Sequence, residues 1–249
     1  MKSRRIPVSD VDKKKRGECR LCGRYTYLTK THVPAQSAGN VGTAQPPTAE
    51  IDEEGRETYG LGKERLGGVR EYWFCGDCNN RAGEWDKCYT AWSRELQHLL
   101  DAGEARVGQR LSVRISRAAA GQFARCLWAW MFAIADDLRA QHPEIASAVL
   151  SGEPVQAPRY PRLMLAATRE DQITVVVAPH SMVVTAPPFV AFLLTEAFLG
   201  VDPGFWRTLR LFDVAPWLMD SADDREDVVL ELPIVEMGAL PMLGEAVWD

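Results

Sequence analysis

Two pairs of cysteines carry the strongest chemical signal in this sequence. Cys19 and Cys22 stand in CRLC, and Cys75 and Cys78 stand in CGDC. A two-residue gap lets both thiolates of a pair reach one ion from a single tight turn. Gly23 and Gly76 stand where such turns need an easy backbone. Two pairs complete a tetrahedral set and leave no coordination position open, so the expected ion is a structural Zn2+ that staples two distant segments. Such an ion contributes folding free energy and does no chemistry itself. Between the pairs, in LTKTHVPAQS, lies His32, one of four histidines in the chain. A neutral imidazole can take a proton from water near neutral pH. Taken alone, His32 reads as a strand-end residue bonded to backbone. His98, His142 and His180 read as structural or exposed, and Cys88 and Cys126 as buried small hydrophobes.

The elements that must position these groups can be read from hydrophobic periodicity. Residues 1–16 read as a flexible basic arm that ends in the run KKKR. Residues 17–103 read as the zinc-stapled module. YTYLTKTHV and EYWF are its strand-like runs, and a loop rich in Gly, Pro, Glu and Thr is inserted at 37–70. Trp85, Tyr89, Trp92, Leu96, Leu99 and Leu100 make one face of a helix that stops near Gly103. A second, longer helix is expected over about 116–141. Phe123, Leu127, Trp130, Met131, Ile134 and Leu138 form its stripe, and His142-Pro143 its end signal. Residues 151–161 read as a loop. RLMLAAT, QITVVVA, SMVVTA and DVVLELPIVEM then read as strands, while FVAFLLTEAF suits a strand or a buried helix. The fold class expected is α+β: a treble-clef module, then a helix-plus-antiparallel-sheet domain over 110–249. Trp85, Trp92, Trp128 and Trp130 suit the core better than base stacking, because they share helix faces with leucines.

Composition narrows the setting. The chain has 249 residues, 46% hydrophobic and 25% charged, enough apolar content for a real core. Its longest apolar runs, such as LWAWMFAIA, fall short of the roughly 18–20 residues that cross a bilayer. MKSRRIPVSD leads into VDKKKRGECR and not into an apolar stretch, which argues against a secretion signal. Paired CxxC cysteines then suit a reducing, cytoplasmic compartment and metal binding more than disulfides. The net charge of −5 hides an asymmetry. Up to residue 117 there are 21 basic and 16 acidic side chains, and after it 8 and 18. The basic first part suits a nucleic-acid backbone. The acidic second part does not, and is a candidate surface for a protein partner or self-association. No membrane partner is expected.

The order CxxC, strand ending in His-Val-Pro, then CxxC-Asn opening a helix resembles the HNH endonucleases. It is most similar to their zinc-stapled branch with two CxxC pairs, which includes phage recombination endonucleases. The resemblance rests on Cys19, Cys22, His32, Pro34, Cys75, Cys78 and Asn79, and covers about residues 17–90. It implies a ββα-metal fold, a zinc held by the knuckles, and a separate catalytic Mg2+ or Mn2+. His32 would be the general base that takes a proton from the water attacking a phosphodiester. Asn79, or Asn80 one residue later, would ligate the catalytic metal. Arg20, Arg24, Lys30 and Arg81 would hold the backbone of the nucleic acid, DNA in preference to RNA. This match of order and spacing favours a functional over a structural His32. One position departs from the family pattern. Thr31 stands where an Asp or Glu ligand normally precedes the histidine, and a hydroxyl is a poor substitute on a hard cation. Two compensations are open. Thr31 orients a metal-bound water, or a carboxylate arrives from Asp77, Asp86 or the DEE at residues 52–54. The alternative is a non-catalytic zinc module that binds nucleic acid or protein.

Overall fold

KRGE and YTYLTKTH pair around the first cysteine turn. β1 (Lys15–Glu18) lies antiparallel to β2 (Tyr25–His32), with Arg16 opposite Tyr27 and Glu18 opposite Tyr25. The basic run thus ends inside a strand: Lys15 and Arg16 belong to β1, and the rest of the arm lies outside the described residues. The computed structural model describes residues 15–36, 43–44, 47–51, 57–61, 65–66, 69–103, 106–152, 161–171, 173–178, 181–194, 211–214 and 227–236.

The segment expected as an irregular loop contains short ladders. β3 (Thr43–Ala44), β4 (Pro47–Ile51), β5 (Glu57–Leu61) and β6 (Arg65–Leu66) form two antiparallel pairs, β4 with β5 and β3 with β6. This nesting is a hairpin's, and it returns the chain to β2. There β7 (Arg70–Cys75) takes the other edge, giving the sheet order β1-β2-β7. A register shift between Thr29 and Lys30 marks a bulge in β2, after which Thr31 faces Glu71 and His32 faces Arg70.

α1 (Gly76–Asp101) starts directly at the end of β7. Its apolar face was expected from Trp85 onward, but the helix begins nine residues earlier and carries Cys78 in its first turn. Tyr89, Trp92, Leu96 and Leu100 are buried, while Leu99 is exposed because the core meets only one flank of the stripe. β8 (Arg110–Ser116) follows, then α2 (Arg117–Ile134). The second helix is shorter than its periodicity suggests. It breaks after Ile134 because the Arg20 guanidinium, on the first cysteine turn, donates to the carbonyls of Ala133 (2.6 Å) and Ile134 (2.9 Å). Those carbonyls have no intrahelical partner at a helix end. The chain resumes as α3 (Leu138–Gln141) and α4 (Pro143–Ser151): a helix ends at His142-Pro143 as expected, and Pro143 also opens α4. Only the ends of the expected 151–161 loop are described: Ser151 closes α4, and Pro161 precedes the next strand.

A seven-stranded mixed sheet completes the fold. It comprises β8, β9 (Arg162–Thr168), β10 (Thr174–Ala178), β11 (Ser181–Ala186), β12 (Phe189–Leu194), β13 (Phe212–Asp213) and β14 (Asp227–Val235). The order is β10-β11-β12-β9-β14-β8, with β13 beside β9, and all pairings are antiparallel except β14 with β9. FVAFLL is therefore a strand, buried at every position. The α+β class expected from the sequence holds. No helix among the described residues is long and apolar enough to cross a membrane.

One buried cluster runs from Cys19 and Leu21 through α1 and α2 to Ile234. At its centre Trp92 stacks on Phe123 (centroids 4.4 Å apart), and Tyr89 meets Trp130 edge-on (4.6 Å). The Tyr89 hydroxyl donates to the carbonyl of Ala186 on β11. Truncating an aromatic at this junction costs about 3–5 kcal/mol, so the cluster fixes α1 against α2 and the sheet. Trp92, Trp128 and Trp130 are all buried, as their spacing suggests, and Trp85 is half-buried against the same core.

Candidate metal centre and the adjoining cleft

The first cysteine turn is closed by backbone bonds from Gly23 to Cys19 (2.8 Å) and from Cys19 to Arg24 (3.0 Å). Gly23 has φ +75°, where a β-carbon is strained, and a side chain would also meet the Arg139 guanidinium at 2.7 Å. Gly76 needs no such freedom. It is an ordinary helical residue with open space around its missing side chain. The second pair is held by a strand end and a helix start instead of a second left-handed turn.

These two elements bring all four sulfurs of Cys19, Cys22, Cys75 and Cys78 within 4.8 Å of one another, a group that could hold one metal ion. Cys22 and Cys75 Sγ are 3.8 Å apart. Sulfurs at the corners of a tetrahedron about 2.3 Å from an ion lie about 3.8 Å apart, so the spacing fits Zn2+. The surroundings suit thiolates as well. The Cys75 N–H points at Cys19 Sγ (3.3 Å), and Arg24 reaches Cys22 Sγ (3.5 Å) and Cys75 Sγ (3.7 Å). A hydrogen bond from Cys78 holds Cys19 well below the usual thiol range, and the same contact pushes Cys78 up. Among the described residues this is the one cluster of three or more His, Cys, Asp or Glu side chains that could share an ion.

Beside it, between the end of β2 and the first three turns of α1, opens a cleft of about 240 Å³. His32, Thr31 and Lys30 line it from the strand. Asn79, Gly83 and Asp86 line it from α1, and Trp130 closes it from α2. The α1 residues are spaced four and three apart, which is one helix face. Asn79 Nδ2 donates to the Lys30 carbonyl (3.3 Å), which leaves its amide oxygen as the acceptor on this face. Asn80, the other candidate, is exposed one position round the helix and is not among the lining residues.

Three features of the cleft are unusual. Thr31 is 4% exposed, and its hydroxyl has no hydrogen-bond partner among the described residues. His32 Nδ1 is buried and also lacks one among them. Burial, reinforced by the positive charges of Arg70 and Lys30, holds the His32 imidazole below its ordinary 6.5, so the ring is neutral at pH 7. Among the described residues, Asp86 is the only acid lining the cleft. Burial pushes its carboxyl up to about 6, against the hydrogen bonds it takes from Cys126 and Trp130. Cys126 Sγ lies 3.3 Å from Asp86 Oδ1, so this cysteine also orients the carboxylate.

Of the acids weighed from the sequence, Asp77 is on the opposite side of the helix start, ion-paired to Arg24 (2.6 Å). The DEE at residues 52–54 and His180 lie outside the described residues. The four cations expected at a nucleic-acid backbone stand differently. Arg20 is half-buried, lies over the Trp73 ring (5.8 Å) and caps α2. Arg24 is held by Asp77 and the cysteine cluster, and Arg81 donates to the Leu150 carbonyl at the end of α4 (2.6 Å). Lys30 lines the cleft with its ammonium 5.6 Å from the centre of the Tyr72 ring. His98 is exposed on α1, and His142 sits between α3 and α4 with Nδ1 3.5 Å from Glu144.

The role of Asp86 was visible only as one of several acids. The signal that singles it out is its seven-residue spacing from Asn79, legible once the helix starts at Gly76. No protein-family model matches the chain, and no curated protein or solved structure matches it either.

Proposed function

We propose that the chain is a zinc-stapled, HNH-like endonuclease that hydrolyses phosphodiester bonds of nucleic acid, DNA in preference to RNA. The observation that carries this reading is the cleft: it joins a neutral, partly buried His32 to Asn79 and a partly buried carboxylate, directly beside the four-cysteine cluster. The ion in that cluster is Zn2+ in a structural role, and it fixes β2 against the start of α1. His32 and Asn79 come from those two elements, so the staple sets the distance between them.

In this mechanism His32 accepts a proton from a water molecule whose oxygen attacks the phosphorus. The bond to the leaving oxygen breaks, and that oxygen takes a proton from solvent. A divalent cation, when bound, offsets the charge that builds on the phosphate and the leaving oxygen. Asn79 offers it an amide oxygen, and Lys30 offers the phosphate a positive charge at the cleft.

The test is incubation of the purified, zinc-loaded chain with plasmid, single-stranded DNA and RNA, with Mg2+ or Mn2+, alongside His32→Ala. Cleavage by the parent protein and its loss in the variant support the reading. Equal cleavage by both, or none on any substrate, overturns it. One observation favours a second reading, a non-catalytic zinc module: among the described residues a single acid lines the cleft, and Thr31 occupies the strand position of the other. Specific binding of a nucleic acid or protein without turnover supports that reading.

A further inference from the structure

We propose that the exposed face of the β1–β2 hairpin, built by Tyr25, Tyr27 and Arg16, binds the unpaired bases and phosphates of single-stranded nucleic acid. The proposal deepens the nuclease reading by naming the form of substrate, and rests on it for the use made of the bound strand. Tyr25 is 74% and Tyr27 48% exposed, and among the described residues no other large aromatic side chain is exposed. Alternation along β2 puts both rings on one face, while Leu28 beside them points the other way and is buried. The ladder sets Arg16 opposite Tyr27 and Glu18 opposite Tyr25, on that same face. The Arg16 guanidinium lies 4.6 Å from the centre of the Tyr27 ring.

Charge selects the occupant. Glu18 is ion-paired to Arg139 on α3, which offsets the acid of this face. Arg16 then leaves the face positive, with exposed Lys15 next to it. Residues 1–14, which lead into β1, carry five basic and two acidic side chains. An anionic chain is the complement of such a surface. Three of the cations nominated from the sequence are engaged within the fold: Arg20 and Arg81 by carbonyls, and Arg24 by Asp77. Arg16 instead stands beside exposed rings.

The rings decide which form of nucleic acid fits. Aromatic faces stack on bases of any sequence, and neighbouring cations hold the phosphates. In a duplex the bases are stacked on one another at steps of about 3.4 Å, and their faces are closed to a protein ring. Tyr25 and Tyr27 stand about 6.7 Å apart along their strand, roughly twice that step. That spacing suits bases splayed apart on an extended single strand. Lys30, which lines the cleft, lies about 17 Å from Tyr25 along β2, so one substrate can touch both.

The experiment is fluorescence anisotropy of a labelled DNA single strand of about 16 nucleotides, and of its duplex, titrated with the full, zinc-loaded chain. Other divalent ions are left out so that binding is read without cleavage. The parent protein is compared with Tyr25→Ala/Tyr27→Ala and with Tyr25→Phe/Tyr27→Phe, which keeps the rings. Single-strand affinity should fall at least about tenfold in the alanine variant and stay within about twofold of the parent in the phenylalanine variant. Duplex affinity should change by less than about twofold in both. Should the double alanine variant fail to fold, Tyr25→Ala, at the more exposed ring, should lose at least about fivefold. Parent-like single-strand affinity in the alanine variants, or an equal loss on duplex, overturns the proposal and leaves the nuclease reading standing. A parent protein that binds no single strand also overturns it, and a dimer lost in the alanine variant then assigns the face to a second copy of the chain. Ring-dependent binding with no cleavage of any substrate after Mn2+ is added upholds the face and overturns the nuclease reading.

Discussion

Replacing Asp86 by Asn should make the protein more stable at neutral pH. The carboxyl is partly buried beside Trp130, and its proton affinity rises from an ordinary 3.8 to about 6. Each tenfold change in proton affinity is worth about 1.4 kcal/mol, so keeping Asp86 ionised in the folded protein costs about 3 kcal/mol. The sign follows from linkage. The folded state binds the proton more tightly than the unfolded state, so the favourable contribution of protonated Asp86 is full below about pH 4. It is lost as pH rises through about 6. Asparagine carries no charge and keeps an oxygen for the Cys126 and Trp130 donors. The variant should therefore gain about 1–3 kcal/mol over the parent at about pH 7.5, and about half of that at about pH 5. Urea unfolding of both proteins, zinc-loaded and without other divalent ions, reads the difference directly. A destabilised variant at neutral pH, or a difference independent of pH, refutes the reasoning.

Other expectations follow from single contacts. Arg20→Ala should cost about 3 kcal/mol in thermal or urea unfolding, because two carbonyls at the end of α2 lose their charged donor. Cys75→Ser should lower the zinc content measured by atomic absorption and destabilise the chain by more than about 5 kcal/mol, because the junction of β7 and α1 then loses its staple to the Cys19–Cys22 turn. Gly83→Ala should stabilise α1 by up to about 1 kcal/mol in the same unfolding assay, since the added methyl meets nothing. The cleavage rate should be flat above about pH 6.5 and fall as pH drops through the depressed imidazole range, because burial, Arg70 and Lys30 favour the neutral ring. A single-turnover pH profile measures it.

How much of this was legible in the sequence depends on the range of the interactions. The cysteine cluster was readable, because two CxxC spacings dictate local geometry whatever the rest of the chain does. The buried faces of α1 and α2 were readable from period alone. The start of α1 was legible only through the resemblance, which opens a helix at CxxC-Asn: GDCNNRAGE has no apolar stripe, and its helix is fixed by the metal-site cysteines and by β7. The break after Ile134 was equally hidden, since it depends on Arg20, more than a hundred residues away in sequence. The ladders within 37–70 escaped because short polar strands carry little hydrophobic alternation. The choice of Asp86 among the acids named for the site of His32 was hidden for a similar reason. It needs the bulge at Thr29/Lys30, the early helix start and Trp130 from a third element together.

The central claim is that His32 acts as a base on bound nucleic acid. Single-turnover cleavage of a labelled DNA by zinc-loaded protein with Mn2+, measured with DNA affinity for the parent and His32→Ala, tests it most directly. Loss of the imidazole should slow the step by about a hundredfold or more and leave affinity unchanged. Equal rates for the two proteins, or a loss explained wholly by weaker DNA binding, would contradict it.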